Sequence, residues 1–255
     1  MNKLVKKVLS AALIMCIGLS MASCSSKKSL TVEDGVLTMA TNAAFPPYEF
    51  YENSKIVGID AEIAEAIANK LGLKLVIEDT AFDSLITGVQ SGKYDIVAAG
   101  LTVTEERKQS VSFTESYSTG IQSIIVPEGS PITDIDSIVN GDYIVGVQIA
   151  TTGDIYMTDE IGSERVEQYN NGADAVQALV TGKVDAVVID NQPAKSFVAA
   201  NEGLVILDTP YTVEDYAIAV NKDNEELLNK INDALKELKE DGTIDAIINK
   251  YIPAE

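Results

Sequence analysis

Short apolar runs alternate with amphipathic segments along the chain from Leu30 onward. Runs typical of buried strands cover residues 35–40, 73–77, 95–99, 143–147 and 186–189. Residues 59–71 carry apolar side chains three and four positions apart and are followed by Gly72, which predicts a helix. Residues 82–91 predict a second helix. This alternation favours an α/β fold with mainly parallel sheets covered by helices.

One pattern occurs twice within this alternation, 90 residues apart. A helix-like segment leads through Gly-Lys-x-Asp into an apolar strand at residues 92–99, and again at 182–189. Gly100 and Asp190 follow the two strands at the same offset. If the two units are equivalent, both residues lie at carboxyl ends of strands, where open α/β sheets bind ligands, and two such sheets would enclose a cleft. The alternative is that Gly-Lys is merely a common helix stop.

The last segment, residues 224–251, predicts a helical region that is broken near Asp241 and Gly242. An apolar stripe predicts that this region packs back on the first of two lobes. The stripe consists of Leu227, Leu228, Ile231, Leu235 and Leu238.

The N-terminus has the layout of an export signal, with Lys3, Lys6 and Lys7 followed by 13 uncharged residues, 8–20. The small residues before Cys24 resemble a bacterial lipoprotein signal, although Met21 stands where leucine is usual. The resemblance implies a signal peptide over residues 1–23, a lipidated Cys24 and a tether over residues 24–29. The alternative is an uncleaved membrane helix. Both interpretations place the body outside the cytoplasm, attached to the membrane.

Composition and charge exclude several classes of function. The chain of 255 residues has 39 acidic and 19 basic side chains, no histidine and a net charge of −20. Such acidity argues against nucleic-acid binding. The missing histidine removes histidine-based nucleophile systems and imidazole metal sites. Both cysteines precede residue 25, so the body has no disulfide, and we expect neither a metal nor a cofactor.

Two polar stretches offer complementary charges. Arg107 is one of only two arginines, and a guanidinium can hold a carboxylate through two parallel hydrogen bonds. Its alternative role is a surface pair with a neighbouring glutamate. Thr151 and Thr152 stand where a helix should begin, and free N–H groups there favour an anion, although either threonine could be only an N-cap. Asp190 could receive an ammonium group or cap a turn.

Two aromatic residues complete the candidate set, Phe45 before a proline pair and Phe82 at the start of a helix. Either could belong to the core. If the two rings face each other, they could clamp an apolar, amide or cationic side chain.

Nearly the whole mature chain, from about residue 30 to residue 251, resembles the extracellular solute-binding proteins of family 3, the polar amino-acid receptors of ABC importers. The resemblance is carried by ATNAAFPPYEF (40–50), GID (58–60), AGLTVTEER (99–107), GVQIATT (146–152) and DAVVIDNQP (185–193). It implies a two-lobed periplasmic-binding-protein-like fold that closes on one polar L-amino acid and delivers it to ABC permease subunits. We also expect a monomer that binds no nucleic acid.

By motif position, the resemblance implies a ligand-binding role for ten residues. Arg107 would grip the α-carboxylate with help from Thr102 and Thr152, and Asp190 with the Gly100 carbonyl would hold the α-ammonium. Phe45 and Phe82 would sandwich the side chain, while a further group would tune specificity. That group is Asn42, Gln148 and Thr151.

Two residues depart from the family pattern, and we expect both to lie at the cleft. Asn42 stands where receptors for cationic or amide side chains often carry aspartate, so it removes a charge that would favour a basic ligand. Ala150 stands where glycine is common and would narrow the approach to its loop.

The resemblance also implies a discontinuous first lobe over residues 30–120 and 216–255 and a second lobe over 121–215, joined by two crossover hinge segments. Two other functions are consistent with this sequence. One is a cyclohexadienyl-dehydratase-like enzyme, for which Glu49 or Asp190 would be the general acid. The other is a ligand receptor for a separate signalling partner.

Overall fold

The computed structural model describes residues 29–208 and 211–253. Its strands are β1 Val36–Thr41, β2 Ala44–Phe45, β3 Glu49–Glu52, β4 Lys55–Val57, β5 Lys74–Asp79, β6 Ile96–Val97, β7 Val111–Phe113, β8 Ser118–Pro127, β9 Val145–Gln148, β10 Val166–Tyr169, β11 Ala186–Asp190, β12 Leu204–Ile206, β13 Thr212–Tyr216 and β14 Ala219–Asn221. Its α-helices are α1 Ile59–Leu71, α2 Leu85–Gln90, α3 Glu105–Ser110, α4 Ile135–Asn140, α5 Thr152–Ile161, α6 Gly172–Val180, α7 Asn191–Ala200, α8 Glu225–Glu240 and α9 Thr243–Tyr251. The predicted signal peptide and Cys24 lie outside the described residues.

The strands form two larger sheets and one small sheet. The first sheet has the order β5-β1-β6-β14-β7, and together with α1, α2, α3, α8 and α9 we call it the first lobe. The second sheet has the order β10-β9-β11-β8-β12, with β13 paired to β8, and together with α4, α5, α6 and α7 we call it the second lobe. The small sheet β2-β3-β4 packs against α1, and we count it with the first lobe. The expected two-lobed α/β fold is confirmed.

Both sheets are mixed, so parallel pairing has a smaller share than we expected. β1 pairs in parallel with β5 and β6, and β9 does so with β10 and β11. β14 and β8 pair antiparallel with their neighbours. The physical reason is that β8 and β14 enter their sheets directly from the other lobe. They therefore run opposite to β11 and β6, the strands that they join.

The chain crosses between the lobes along β8 and β13, as the two expected crossover segments. These strands pair antiparallel from Thr212 opposite Gln122 to Tyr216 opposite Ser118. An isolated bridge between Thr102 and Tyr216 joins this ribbon to the first lobe. Polar side chains on the ribbon therefore lie between the two lobes.

Helix α1 has the predicted bounds because glycines are required at both of its ends. Gly58 has a φ of 124°, and a Cβ atom there would lie 2.2 Å from the Tyr48 carbonyl oxygen. Gly72 has a φ of 69°, and its N–H donates to the Ala68 and Asn69 carbonyls. α8 and α9 pack on α1, which confirms the prediction for the C-terminal region. No helix within residues 29–208 and 211–253 is both long and apolar enough to cross a membrane.

Candidate functional site

A cavity between the two lobes brings all ten predicted residues together. The first lobe contributes Asn42, Phe45, Phe82, Gly100, Thr102 and Arg107, and the second lobe contributes Gln148, Thr151, Thr152 and Asp190. Glu49, named above as a candidate general acid of the alternative enzyme, and Ala99 also line it, and neither was among the ten residues.

Arg107 is buried, whereas the surface-pair alternative required an exposed guanidinium. It lies in the first turn of α3, where its N–H donates to the N-cap Thr104 Oγ1 at 3.1 Å. Its Nη1 donates to the Thr102 carbonyl at 2.7 Å, and its Nη2 donates to the Ala150 carbonyl of the other lobe at 3.0 Å. Burial lowers the pKa of Arg107. The guanidinium is fixed at the cavity wall, where it can receive an anionic group.

The Phe82 ring supports this guanidinium. The Arg107 Cζ lies 5.6 Å from the ring centroid, within the range of a cation–π contact. Phe45, the second aromatic residue, packs against Gly100. A Cβ atom on Gly100 would lie 2.8 Å from a Phe45 ring carbon, and the φ of 52° at Gly100 also favours glycine. The two aromatic residues therefore lie beside the polar groups of the site.

The start of α5 forms part of the second-lobe wall. Thr151 is the N-cap, as the alternative predicted, because its Oγ1 accepts the Asp154 N–H at 3.3 Å. Asp154 in turn accepts the Ala150 N–H at 2.9 Å and holds Ala150 at a φ of 64°. The loop thereby presents the first turn of a ten-residue helix, whose dipole favours negative charge, to the cavity.

Asp190 ends β11 and precedes α7, and its side chain makes no capping hydrogen bond. The turn-cap alternative is therefore wrong for its carboxylate. Asp190 is 7% exposed and accepts a hydrogen bond from the Tyr216 hydroxyl. Burial and the nearby charge of Glu214 raise its pKa to about 7. An entering cation would stabilise the ionised form of this carboxyl group.

Asn42 and Gln148 join the lobes at the cavity. Gln148 Nε2 donates to Asn42 Oδ1 at 2.9 Å and to the Asn170 carbonyl at 3.2 Å. Asn42 Nδ2 donates to the Thr80 carbonyl at 2.9 Å. This amide pair closes one side of the cleft with neutral groups.

Glu214 on the crossover strand β13 is the largest omission of the sequence analysis. Its Oε2 accepts hydrogen bonds from Thr102, Thr152 and Gln122, each at 3.1 Å. Its Oε1 accepts one from Tyr156 at 2.8 Å. The signal that could have found Glu214 is the alternation in Thr212–Tyr216, where Glu214 shares its face with Tyr216.

Comparisons with known proteins agree on one family. The family model of the bacterial extracellular solute-binding proteins, family 3, matches residues 37–254. The arginine-binding extracellular protein ArtP of Bacillus subtilis is 33% identical over 262 residues, covering 98% of this chain and 99% of that protein. A probable histidine-binding protein of Neisseria gonorrhoeae is 30% identical over 261 residues, covering 98% and 97% respectively.

A solved structure of an ancestral arginine-binding protein bound to glutamine superimposes with a TM-score of 0.82 at 40% identity. The match covers 87% of this chain and all of that one. The match to the family model over most of the chain, the two relatives and the shared fold lead to one conclusion: this chain belongs to the bacterial extracellular solute-binding proteins of family 3.

Proposed function

We propose that this solute-binding protein captures a polar L-amino acid between its lobes and delivers it to an ABC permease in the membrane. One observation carries the proposal. A buried guanidinium on the first-lobe wall and a buried carboxyl group on the second-lobe wall, Arg107 and Asp190, line the same cavity. An α-amino acid carries the two complementary charges on adjacent groups, so it can bind both walls at once.

In this proposal the α-carboxylate binds Arg107 and the first N–H groups of α5. The α-ammonium binds the Asp190 carboxylate and the Gly100 carbonyl. The Thr102 and Thr152 hydroxyls donate to Glu214, so a ligand carboxylate that takes these protons must compete with Glu214. The ligand side chain lies between Phe45 and Phe82, with Asn42, Gln148 and Thr151 nearby.

Ligand binding would stabilise the closed arrangement of the lobes. Arg107 already reaches the Ala150 carbonyl across the cleft, and Gln148 reaches Asn42. A ligand that contacts both walls adds interactions that exist only when the cleft is closed, and it therefore shifts the population toward that state. The lobes would be residues 30–120 with 216–255 and residues 121–215, with the crossovers as hinges, and a permease would recognise the closed form.

The relatives leave the choice of amino acid open between cationic and neutral polar side chains. One relative is named for arginine, one for histidine, and the ancestral protein was solved with glutamine. We also propose that residues 1–23 are removed and that a lipid on Cys24 anchors the monomeric body outside the cytoplasm through residues 24–29.

Calorimetric titration of the purified body with the twenty amino acids, cystine and ornithine tests the function. We expect saturable one-to-one binding of at least one polar L-amino acid, and no binding of its D-enantiomer. An absence of binding across the panel would overturn the proposal.

Two buried acids favour a second candidate function, the dehydratase-like enzyme. Burial raises the pKa of Glu49 well above its usual value and that of Asp190 to about 7, so either could hold a proton in the cavity as a general acid. Incubation with prephenate and arogenate, followed by chromatography, separates the two functions. Product formation would establish the enzyme, and unchanged substrate together with amino-acid binding would reject it.

A further inference from the structure

Glu49 presents an unsatisfied carboxyl group to the cavity. It begins β3, lines the cavity and is 1% exposed. Neither of its carboxyl oxygens accepts an N–H or a hydroxyl group from the described part of the chain. Because a buried polar group without a partner is costly, this carboxyl group is available to a group that enters the cavity.

Asp60, near the start of α1, holds Glu49 in an acidic environment. Its Oδ2 accepts the Gly100 N–H and the Tyr117 hydroxyl, both at 2.7 Å. No N–H or hydroxyl group among the described residues donates to its Oδ1, which leaves the Glu49 carboxyl group as its neighbour. Burial and the charge of Asp60 raise the pKa of Glu49 well above its usual value, and burial raises the pKa of Asp60 to about 6. Two such groups share a proton instead of both ionising.

The other titratable groups around this pair do not neutralise it. Asp190 adds negative charge from the second lobe, and it acts on Glu49. Tyr48 and Tyr117 face the pair, and burial raises the pKa of each phenol, so both remain neutral at ordinary pH. Arg107 is the guanidinium that lines the cavity, and the proposed ligand carboxylate would occupy it. A positively charged ligand side chain could therefore bind Glu49 without competition from a cation of the protein.

We propose that Glu49 is a further ligand-contacting residue that shares one proton with Asp60. This proton leaves when a ligand with a cationic side chain binds, and it stays when the ligand side chain is neutral. This inference rests on the proposed amino-acid function. With an amide side chain the shared proton stays between Glu49 and Asp60, and the other Glu49 oxygen accepts an N–H of the amide. With a guanidinium or ammonium side chain the proton passes to solvent, and the Glu49 carboxylate accepts the hydrogen bonds of the cation. One cavity thus accepts both ligand classes without moving its walls.

Calorimetry in two buffers tests the proton directly. L-Arginine and L-glutamine are titrated at pH 7 in phosphate and in Tris, whose ionisation enthalpies differ, so the difference in binding heat counts the protons released. We expect arginine to release about one proton more than glutamine, since the shared proton is lost only with the cation. Any proton that Asp190 releases to solvent when the α-ammonium binds cancels in this difference, because both ligands carry that group.

Glu49→Gln should abolish the difference between the two ligands, while Glu52→Gln, an exposed position on the same strand, should preserve it. Thermal unfolding confirms that each variant is folded, and the wild-type titration decides the question without any variant. Equal proton release with both ligands would overturn the inference and leave the proposed function intact. Rejection of every cationic amino acid in favour of neutral ones would also overturn it. An absence of binding for all amino acids would overturn the proposed function and, with it, this inference.

Discussion

The two walls of the cavity are built differently. The first-lobe wall carries the guanidinium of Arg107, fixed by the Thr102 carbonyl of its own lobe, together with the rings of Phe45 and Phe82. The second-lobe wall carries the start of α5 and the carboxyl group of Asp190, which is held by the Tyr216 hydroxyl of the crossover ribbon. One wall therefore offers a fixed cation and aromatic surface, and the other offers a titratable acid.

This difference assigns different tasks to the walls. A guanidinium is charged at every working pH, so the first lobe can hold a carboxylate before the cleft closes. Asp190 has a pKa of about 7 in the free cavity, so the second lobe gains its charge most favourably when an ammonium group arrives. Zwitterion binding needs both walls, and substitutions on the two walls should have distinguishable effects.

Removing the fixed cation should have the largest effect. Arg107→Ala leaves a bound carboxylate without its partner, and truncating one partner of a buried charge pair costs about 3–5 kcal/mol, so affinity should fall by roughly a hundredfold or more. Arg107→Lys is the matched control, because it keeps the charge but not the bidentate geometry. Its affinity should lie between those of wild type and Arg107→Ala. Calorimetry that finds Arg107→Ala within threefold of wild type would contradict the assignment.

Lowering the pH should weaken the contact between the second-lobe wall and the ammonium group of the ligand. Below pH 7 Asp190 gains a proton and no longer neutralises the ammonium, so affinity for a neutral-side-chain ligand should fall by about tenfold per pH unit. The free energy of unfolding of the ligand-free protein should change in the opposite direction and rise as the pH falls. The pKa of Asp190 is raised above its ordinary 3.8, so its contribution to the free energy of unfolding is present below that value and is lost as the pH rises through about 7.

Both trends can be measured between pH 5.5 and pH 8, by calorimetry for affinity and by urea unfolding for stability. A pH-independent affinity would show that Asp190 does not receive the ammonium.

Adding a charge beside the cleft should change specificity more than total affinity. Asn42→Asp places a carboxylate where the neutral amide now accepts from Gln148, and it removes the hydrogen bond from Asn42 to the Thr80 carbonyl. The ratio of arginine to glutamine affinity should rise by about tenfold, because a half-buried charge pair gains roughly 1–2 kcal/mol. Asn42→Ala provides the control without a charge. An unchanged ratio in Asn42→Asp would show that this position does not act on the ligand side chain.

The smallest effect should come from Ala150. Its φ of 64° costs an L-residue about 1–2 kcal/mol, and glycine removes this cost. Glycine also gives the unfolded chain more conformational entropy, which lowers the free energy of unfolding by about 0.4–1 kcal/mol. We therefore expect Ala150→Gly to raise the free energy of unfolding by about 0.5 kcal/mol. Ala66→Gly within α1 is the control and should lower it by about 0.5–1 kcal/mol. Urea unfolding measures both, and destabilisation by Ala150→Gly would contradict this account of the loop.

The sequence predicted those parts of the fold that local rules determine. α1 has its predicted bounds because Gly58 and Gly72 adopt positive φ angles there. The mixed sheets were missed because local periodicity does not reveal that β8 and β14 enter their sheets from the opposite lobe. The alternation in the sequence does not determine which neighbour a strand meets.

The candidate site, like the fold, was predicted only in part. The residues alone left Arg107, Thr151 and Asp190 with two interpretations each, and the family resemblance supplied the ten positions that the structure brings together. Glu214 and the pairing of Glu49 with Asp60 were not predicted, because they depend on the directions of side chains from segments far apart in the chain. Burial and hydrogen bonding identify these groups, and neither is visible in residue spacing.

A crystal structure of the protein with its tightest-binding amino acid tests the central claim most directly. The account predicts the α-carboxylate at about 2.7–3.2 Å from the Arg107 guanidinium nitrogens and the α-ammonium at a similar distance from the Asp190 carboxylate, with the lobes closed. An amino acid bound in the reverse orientation, or outside the cavity between the lobes, would contradict it.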